Sequence, residues 1–299
     1  MNAPVREGSV EVTGGRVWYC VRGDDGGVPL VVVHGGPGFT HDYLEPLAAL
    51  ADERPVVFYD QLGAGRSDAP DDAGLWTTDR LVGELTTLID SLPSPKVHLL
   101  GHSWGALVAA GCALRRPARV AGVVFADPVL SGSRYVAGTV TLRSALPPEV
   151  GDVLDRHEAA GTTDSEEYQA ATLAFYNRHL CRLDPWPEPL QRSVAHMNMT
   201  IYEQMWGPNE FTATGTDKDY DLTDHLARLA VPTLFLCGRY DLARPADIAY
   251  FRDLVRGADL AVFENSSHMP HLEEPALYLE VVRAFLTGAD SGVDRTSTV

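Results

Sequence analysis

The 299-residue chain carries 41 acidic against 24 basic side chains, which gives a formal charge of −17 at pH 7. Nucleic acids and anionic membrane surfaces are themselves negative, so this balance argues against either as a partner. No stretch approaches the roughly 18 consecutive apolar residues of a membrane-spanning helix, and the first residues lack the apolar segment of a secretion signal. The length suits one large α/β domain with an insertion, or two small domains.

The cysteines indicate a reducing compartment. Cys20, Cys112, Cys181 and Cys237 are scattered without the close spacing of redox or zinc motifs, and two of them lie in apolar runs typical of a core. We therefore expect free thiols and a cytoplasmic protein. No group of histidines, cysteines or carboxylates has convincing metal-ligand spacing, so we expect neither a metal nor a cofactor.

The first patterns along the chain are typical of strands. Residues 9–22 alternate around Gly14-Gly15, which predicts a β-hairpin. Residues 29–33 form a continuous apolar run, as in a strand covered on both faces. This run ends in the loop His34-Gly35-Gly36-Pro37-Gly38. The exposed amide of Gly36 is a candidate donor to an oxyanion, with a plain tight turn as the alternative, and His34 is expected to brace the loop.

A second apolar run, residues 55–59, predicts another buried strand and leads into a glycine-rich loop at 60–68. That loop lacks the glycine spacing and the Gly-Lys-Ser/Thr ending of phosphate-binding loops, which argues against nucleotide binding. Residues 77–91 have helical spacing of apolar side chains, with Thr77 or Thr78 as the expected N-cap.

The most informative stretch is Gly101-His102-Ser103-Trp104-Gly105, which stands between an apolar run and a run of good helix formers. A strand, a sharp turn and a helix are predicted, and glycines flank the turn because a side chain there would strike the backbone. This arrangement favours Ser103 as a nucleophile over a chance Gly-x-Ser-x-Gly. The amide of Trp104 would lie at the start of the helix, where free N–H groups attract an oxyanion.

The strand and helix alternation is then interrupted. Residues 120–126 predict a further strand, but helical patterns take over from about 130 to 226. Strand patterns return at 231–238 and 260–263, and a last helix is expected at 275–286. We therefore predict an α/β-hydrolase fold, a mostly parallel sheet flanked by helices. Its core comprises residues 1–129 and 227–288, with an inserted helical cap at 130–226 and a flexible tail at 289–299.

Ser103, Asp241 and His268 each follow a predicted parallel strand, in the chain order expected of α/β-hydrolases. The carboxyl ends of such strands meet at one edge of the sheet, where these folds place their sites. His268 would take the Ser103 proton, Asp241 would hold the imidazole, and the Gly36 and Trp104 amides would receive the oxyanion.

Two of these assignments have alternatives. Asp127 follows the strand at 120–126 and could serve as the acid, although Asp241 is preferred because it precedes the histidine by one strand. His271 could compete with His268, which comes first after its strand. His102 is interpreted as structural.

Several motifs resemble the prolyl iminopeptidase branch of the α/β-hydrolases, which includes the archaeal tricorn-interacting aminopeptidase. The resemblance runs from about residue 29 to residue 286, and its cap motif is the most specific because general hydrolases lack it. The motifs are His34-Gly35-Gly36-Pro37-Gly38, His41-Asp42-Tyr43-Leu44, Tyr59-Asp60-Gln61-Leu62-Gly63-Ala64-Gly65-Arg66-Ser67, Gly101-His102-Ser103-Trp104-Gly105 and Gly207-Pro208-Asn209-Glu210-Phe211.

The resemblance implies how the substrate is held. In this family two carboxylates bind the free α-amino group of the substrate, and Glu210 matches the first of them. The second would directly follow the acid of the triad, where this chain has Leu242. A buried ammonium needs charge compensation, so selection of a free amine should be weaker or differently arranged here.

The resemblance therefore implies a serine hydrolase that releases N-terminal proline, or another small or apolar residue, from small peptides or amino-acid amides. The alternative is an esterase or amidase with the same triad that acts on a non-peptide or secondary-metabolite acyl substrate. Leu242 favours this alternative and Glu210 favours the peptidase. A non-catalytic binding protein on this fold would be expected to have lost a triad or oxyanion residue, and none is lost.

Overall fold

An eight-stranded sheet forms the centre of the computed structural model, which describes residues 4–292. The strand order is β1-β2-β4-β3-β5-β6-β7-β8. The β1–β2 and β2–β4 pairs are antiparallel, and the other pairs are parallel. The strands are β1 (Val5–Val12), β2 (Gly15–Arg22), β3 (Leu30–Val33), β4 (Val56–Tyr59), β5 (Val97–His102), β6 (Val120–Ala126), β7 (Thr233–Gly238) and β8 (Asp259–Phe263).

Helices cover both faces of this sheet. On β5, His98 and Gly101 are an odd number of residues apart and point to opposite faces. The His98 ring contacts Asp290 of the last helix, whereas Gly101 packs against Ala109 of the helix that follows β5. The helices are α1 (Thr78–Ser91), α2 (Gly105–Arg115), α3 (Gly132–Ser144), α4 (Pro148–Ala160), α5 (Glu166–His179), α6 (Glu188–Ala195), α7 (Met199–Met205), α8 (Thr223–Leu226), α9 (Pro245–Leu254), α10 (Pro270–Glu273) and α11 (Pro275–Asp290), with 3₁₀ helices at His41–Asp52 and Ala73–Leu75.

Burial explains why continuous apolar runs predicted these strands. Every residue of β3, β4, β5 and β7 is buried, as expected for apolar runs covered on both faces. The predicted N-cap of α1 is Thr77, whose side chain accepts a hydrogen bond from the Arg80 amide. The mostly parallel sheet flanked by helices confirms the predicted fold class.

The last helix is longer than predicted. α11 continues to Asp290, four residues beyond the expected end at 286. Asp290 is held there by Arg54 Nη1 at 3.0 Å and His98 Nε2 at 2.9 Å, two contacts that a polar sequence pattern does not reveal. The remainder of the predicted tail, 293–299, lies outside the described residues. Across 4–292, no helix is long and apolar enough to cross a bilayer.

Helices α3–α8 lie between β6 and β7, within the stretch where a cap is predicted. We call this segment, Gly132–Leu226, the helical insertion. Polar contacts attach it to the core: Asn198 Nδ2 donates to Gly63 O at 2.8 Å, and the Tyr43 amide donates to Ser193 Oγ at 3.0 Å. The insertion is thereby held over the carboxyl edge of the sheet.

Candidate active site

Ser103 stands in the sharp turn between β5 and α2. Its φ of +56° is unusual for a residue with a side chain, as the predicted strained turn requires. A Cβ atom on Gly101 would come within 2.6 Å of Gly105 O, and one on Gly105 within 2.4 Å of two backbone oxygens of β3 and its loop. Only glycine fits at these positions, so the turn raises Ser103 at the end of the strand.

The structure joins Ser103, His268 and Asp241 in one chain of hydrogen bonds. The Nε2 atom of His268 lies 2.9 Å from Ser103 Oγ, and Nδ1 lies 2.6 Å from Asp241 Oδ1. The histidine follows β8 and the aspartate follows β7, so adjacent parallel strands deliver them to the same edge as Ser103. Asp241 and His268 are both buried.

Burial alone would lower the pKa of His268, because an imidazolium is poorly solvated inside a protein. The charge of Asp241 and its hydrogen bond to Nδ1 act in the opposite direction, and the charges of Glu210 and Glu273 add to them. These charges prevail and raise the pKa of His268 above its ordinary 6.5. The ring is therefore well placed to accept a proton from Ser103.

Two backbone amides near Ser103 are free to bind an anion. Over residues 4–292, neither the Gly36 nor the Trp104 amide donates a hydrogen bond to another protein group. Gly36 lines the same cavity as Ser103, and a Cβ on the neighbouring Gly35 would lie 2.9 Å from Ser103 Cβ. Trp104 is the N-cap of α2, at the end of the helix where the dipole favours negative charge.

The competing histidines have other partners. His271 Nε2 donates to Tyr43 O at 3.1 Å, and burial lowers the pKa of His271 to about 3. His102 Nε2 donates to His268 O, while its Nδ1 accepts from the Tyr43 hydroxyl, both at 2.9 Å. Neither ring bonds to the Ser103 hydroxyl. His102 instead links the backbone of His268 to the loop at 34–38, because the Gly35 amide donates to Tyr43 Oη.

Asp127, the alternative acid, lies beside the hydrogen-bonded chain of Ser103, His268 and Asp241. Asp127 follows β6, is fully buried and accepts a hydrogen bond from the Gly238 amide at 3.3 Å. Its own φ is +51°, a second positive value outside glycine. His268 Nδ1 bonds to Asp241 and not to Asp127, which agrees with the preference for Asp241.

Two groups of side chains in the described part of the chain place candidate metal-ligand atoms within 4.8 Å of one another: His41, Asp42 and Glu45, and Asp127, Asp241 and His268. In the first group, the Arg192 guanidinium already pairs with both carboxylates. In the second, His268 Nδ1 is engaged by Asp241. Because the carboxylates of the first group and the His268 nitrogen of the second are already engaged within the protein, we assign a metal to neither.

A cavity of about 480 Å³ opens between the sheet edge and the helical insertion, and both Ser103 and Glu210 line it. Two tyrosine hydroxyls donate to the Glu210 carboxylate at 2.7 Å, from Tyr135 to Oε2 and from Tyr202 to Oε1. Sequence reasoning did not predict that either tyrosine contacts Glu210. Tyr202 stands only eight residues before Glu210, whereas Tyr135 is 75 residues away and gave no local signal.

Leu242 does not reach this cavity. It is fully buried and lines a separate small cavity beside Tyr135 and Ile248. The main cavity is mostly apolar, and three side chains that line it, Leu173, Val194 and Met199, are between 42% and 47% exposed. No lysine or arginine is among its described lining residues. Among the same described lining residues, Glu210 is the one acidic side chain.

Comparisons with known proteins agree with this arrangement. Residues 28–275 match the model of the alpha/beta hydrolase fold. A proline iminopeptidase from Heyndrickxia coagulans is 43% identical over 282 residues, which cover 94% of this chain and 98% of the relative. A proline iminopeptidase from Saccharolobus solfataricus is 38% identical over 288 residues, with 94% and 92% covered.

Two solved structures are similar over nearly the whole chain. The proline iminopeptidase of Mycobacterium smegmatis has a TM-score of 0.91 at 36% identity, covering 97% of this chain and 100% of that one. The crystal structure of VinJ has a TM-score of 0.91 at 42% identity, with 95% and 99% covered. The resemblance drawn from the motifs is thus confirmed, and the chain belongs to the proline iminopeptidase family of α/β-hydrolases.

Proposed function

We propose that the protein is a serine aminopeptidase that releases N-terminal proline, or another small or apolar residue, from peptides or amino-acid amides. The observation that carries the proposal is the chain of hydrogen bonds from Ser103 through His268 to Asp241. Ser103 and His268 line the same cavity as Glu210. A nucleophile, a base and an anchor for an amine therefore face one space. The relatives named proline iminopeptidase support the same reaction.

In the proposed mechanism, Ser103 Oγ attacks the substrate carbonyl while His268 Nε2 takes the hydroxyl proton. The oxyanion is received by the Gly36 and Trp104 amides, and each such donor contributes roughly 3 to 4 kcal/mol in comparable sites. His268 then returns the proton to the leaving amine, and water hydrolyses the acyl-enzyme by the reverse sequence. Asp241 keeps the Nδ1 proton on His268 and stabilises the imidazolium.

Glu210 is the proposed anchor of the substrate's ammonium group. The Tyr135 and Tyr202 hydroxyls fix its carboxylate and leave further lone pairs free to accept hydrogen bonds from an amine. An ammonium bound there would form a charge-assisted hydrogen bond. With Leu242 at the position of the second carboxylate, Glu210 carries this interaction without a charged partner.

A second candidate is an esterase or amidase that acts on a non-peptide acyl substrate. Leu242 favours it, and so does the apolar lining without lysine or arginine, which offers no counter-charge to a peptide carboxylate. The proposed catalytic residues would be the same.

An assay of wild type and Ser103→Ala distinguishes the two candidates. The substrates are prolyl, alanyl and leucyl p-nitroanilides, their N-acetylated forms, and p-nitrophenyl acetate. We expect wild type to cleave the free-amine anilides, N-acetylation to abolish cleavage, and Ser103→Ala to be inactive. Activity confined to the acetylated compounds or the ester would favour the second candidate, and an active Ser103→Ala would refute the nucleophile.

Within the same assay, Glu210→Gln should raise KM for the free-amine anilides by about tenfold or more, because a charge-assisted hydrogen bond becomes a neutral one. The matched control is Glu203→Gln, which makes the same change at an exposed position of α7 outside the cavity. The control should behave as wild type.

The family and the free thiols also support a location and a domain division. All four cysteines are free and buried, as expected in a reducing compartment, so we propose a cytoplasmic enzyme. We further propose that residues 1–129 and 227–288 form the catalytic core and that 130–226 form a cap over it.

A further inference from the structure

Two buried carboxyl groups meet behind the catalytic histidine. Asp127 is fully buried and Asp241 is 1% exposed, and one oxygen of each lies within 4.8 Å of the other and of a His268 ring nitrogen. The proposed mechanism uses Asp241 and gives Asp127 no role. Ionised together, the two groups would place like charges side by side away from water, which is costly.

Each carboxyl group of the pair has one oxygen without a hydrogen-bond donor. Asp241 Oδ1 accepts from His268 Nδ1 and from the Ala243 amide, but Oδ2 has no donor. Asp127 Oδ1 accepts from the Gly238 amide, and its Oδ2 also has no donor. Ionised carboxylates can only accept, so no arrangement of two anions satisfies these oxygens. The two side chains lie within hydrogen-bonding reach of each other, so a single proton shared by the two Oδ2 atoms would satisfy both.

The surroundings decide which residue keeps that proton. Asp241 has two donors on Oδ1 and faces the His268 ring that becomes positive during the reaction, so its charge is compensated. Asp127 has one long hydrogen bond, and its burial and the neighbouring charge of Asp241 raise its pKa well above the ordinary value. The other titratable groups that interact with Asp127 are His102, His268, Glu273, Tyr43, Tyr278 and Cys237.

Of these neighbours only the two histidines can carry a positive charge, and neither holds Asp127 ionised. The His268 ring bonds to Asp241, which compensates its charge. The ring of His102 approaches Asp127 Oδ2 only to 3.7 Å, and burial lowers the pKa of His102 well below its ordinary value, so this ring is neutral. Its Nε2 proton is already donated to His268 O. Glu273 adds a further negative charge, which also disfavours a second anion at Asp127.

We propose that Asp127 is a neutral carboxylic acid at neutral pH whose O–H group donates to Asp241 Oδ2, and that it is a positioning residue for the catalytic base. The proposal rests on the proposed triad. The donated hydrogen bond fixes the rotation of the Asp241 carboxylate, so that Oδ1 stays aligned with His268 Nδ1. It also spreads the charge of Asp241 and moderates how strongly that charge holds the imidazolium.

The test uses two variants that the backbone tolerates. At φ of +51°, asparagine and glycine are the least strained replacements for aspartate. Asp127→Asn keeps a neutral donor, through its NH₂ group, and an acceptor for Gly238. We expect its kcat/KM on the substrate found above to stay within about threefold of wild type, because a neutral donor replaces a neutral donor.

Asp127→Gly removes the donor and leaves Asp241 Oδ2 unpaired. We expect kcat to fall about tenfold or more, the usual effect of losing a hydrogen bond to a charged group. The acid limb of the pH profile should move to higher pH, because the full charge of Asp241 then holds the His268 proton more tightly. Asp127→Asn as inactive as Asp241→Asn, or Asp127→Gly equal to wild type, would overturn the proposal.

A spectroscopic measurement removes the dependence on substrate. The infrared difference spectrum between wild type and Asp127→Asn at neutral pH should contain the carbonyl band of a protonated carboxyl group, and the subtraction cancels the other acidic side chains. Lack of this band would overturn the proposal even if the enzyme is active. Presence of the band in a protein inactive on all anilides would instead separate a correct pair from a wrong proposed function.

Discussion

His34 joins two loops by using both of its ring nitrogens. The Gln61 amide donates to Nε2 at 3.0 Å, and Nδ1 donates to Gly35 O at 2.9 Å. Only the neutral ring can accept at Nε2, since a second proton there would face the Gln61 N–H. Burial accordingly lowers the pKa of His34 from 6.5 to about 4. The brace predicted for the loop at 34–38 therefore depends on pH.

We predict an acid-induced loss of stability from His34. The folded pKa of about 4 lies below the unfolded value of 6.5, so the unfolded chain binds more protons between these values. The stabilisation is complete above pH 6.5 and declines by about 3 kcal/mol as the pH falls to about 4. Urea unfolding across this range should show a smaller decline for His34→Gln, and equal declines in the two proteins would contradict the prediction.

At the scale of single residues, the sequence indicated the candidate catalytic side chains but not the side chains that contact them. Ser103, Asp241 and His268 could be selected because each directly follows a strand pattern. The hydroxyl of Tyr135 on Glu210 and the carboxyl pair of Asp127 with Asp241 could not, because distant segments create those contacts and no local pattern encodes them.

The turn between β5 and α2 is the element on which the site depends. α2 packs so closely on the end of β3 that a Cβ atom at Gly105 would lie 2.4 Å from the carbonyl oxygens of Val33 and His34. These are backbone atoms, which cannot rotate away as a side chain can. The close approach holds the loop at 34–38 and Ser103 in one rigid unit.

We predict that Gly105→Ala lowers the free energy of unfolding by about 3 kcal/mol, the cost of overpacking a rigid site. The matched control is Gly83→Ala in α1, where a Cβ atom would meet nothing within 4 Å. Alanine favours a helix, so the control should gain up to about 1 kcal/mol. Equal midpoints for the two variants in thermal unfolding would contradict this account.

Element boundaries were predicted well where burial alone sets them, as for the strand at 120–126. The end of α11 was missed because the ion pairs of Asp290 with Arg54 and His98 extend the helix. These partners are far away in sequence, and periodicity carries no information about them.

At the scale of the whole molecule, ion pairs attach the helical insertion to the core. Arg192 of α6 pairs with Asp42 at 2.8 Å and with Glu45, both on the 3₁₀ helix of the core. This one guanidinium compensates two carboxylates across the boundary. The region around α6 also lines the active-site cavity, through Trp186 and Val194.

We predict that Arg192→Gln loosens α6, because the ion pairs that join it to Asp42 and Glu45 of the core are lost. Amide hydrogen exchange in α6 should accelerate while global stability falls by about 1 kcal/mol. The control is Arg156→Gln, which breaks an ion pair with Glu167 whose side chains are both more than half exposed. Exchange in α6 unchanged by Arg192→Gln would contradict the prediction.

The fold class could be predicted because alternating strand and helix patterns have few solutions. The way in which the insertion packs could not, since contacts such as Arg192 with Asp42 join segments 150 residues apart. The shape of the cavity beside Ser103 depends on that packing and could therefore not be predicted from the sequence either.

The order of the strands also determines when each part of the sheet can form during synthesis on the ribosome. Beyond β3, each later strand from β5 to β8 joins the same growing edge in chain order. Once Ala126 has emerged, six neighbouring strands and Ser103 exist, but Asp241 and His268 have not yet been translated. β6 remains a bare edge throughout translation of the insertion, and bare edges pair with other chains. The nascent protein therefore exposes an unpaired strand edge before all three residues of the proposed triad are present.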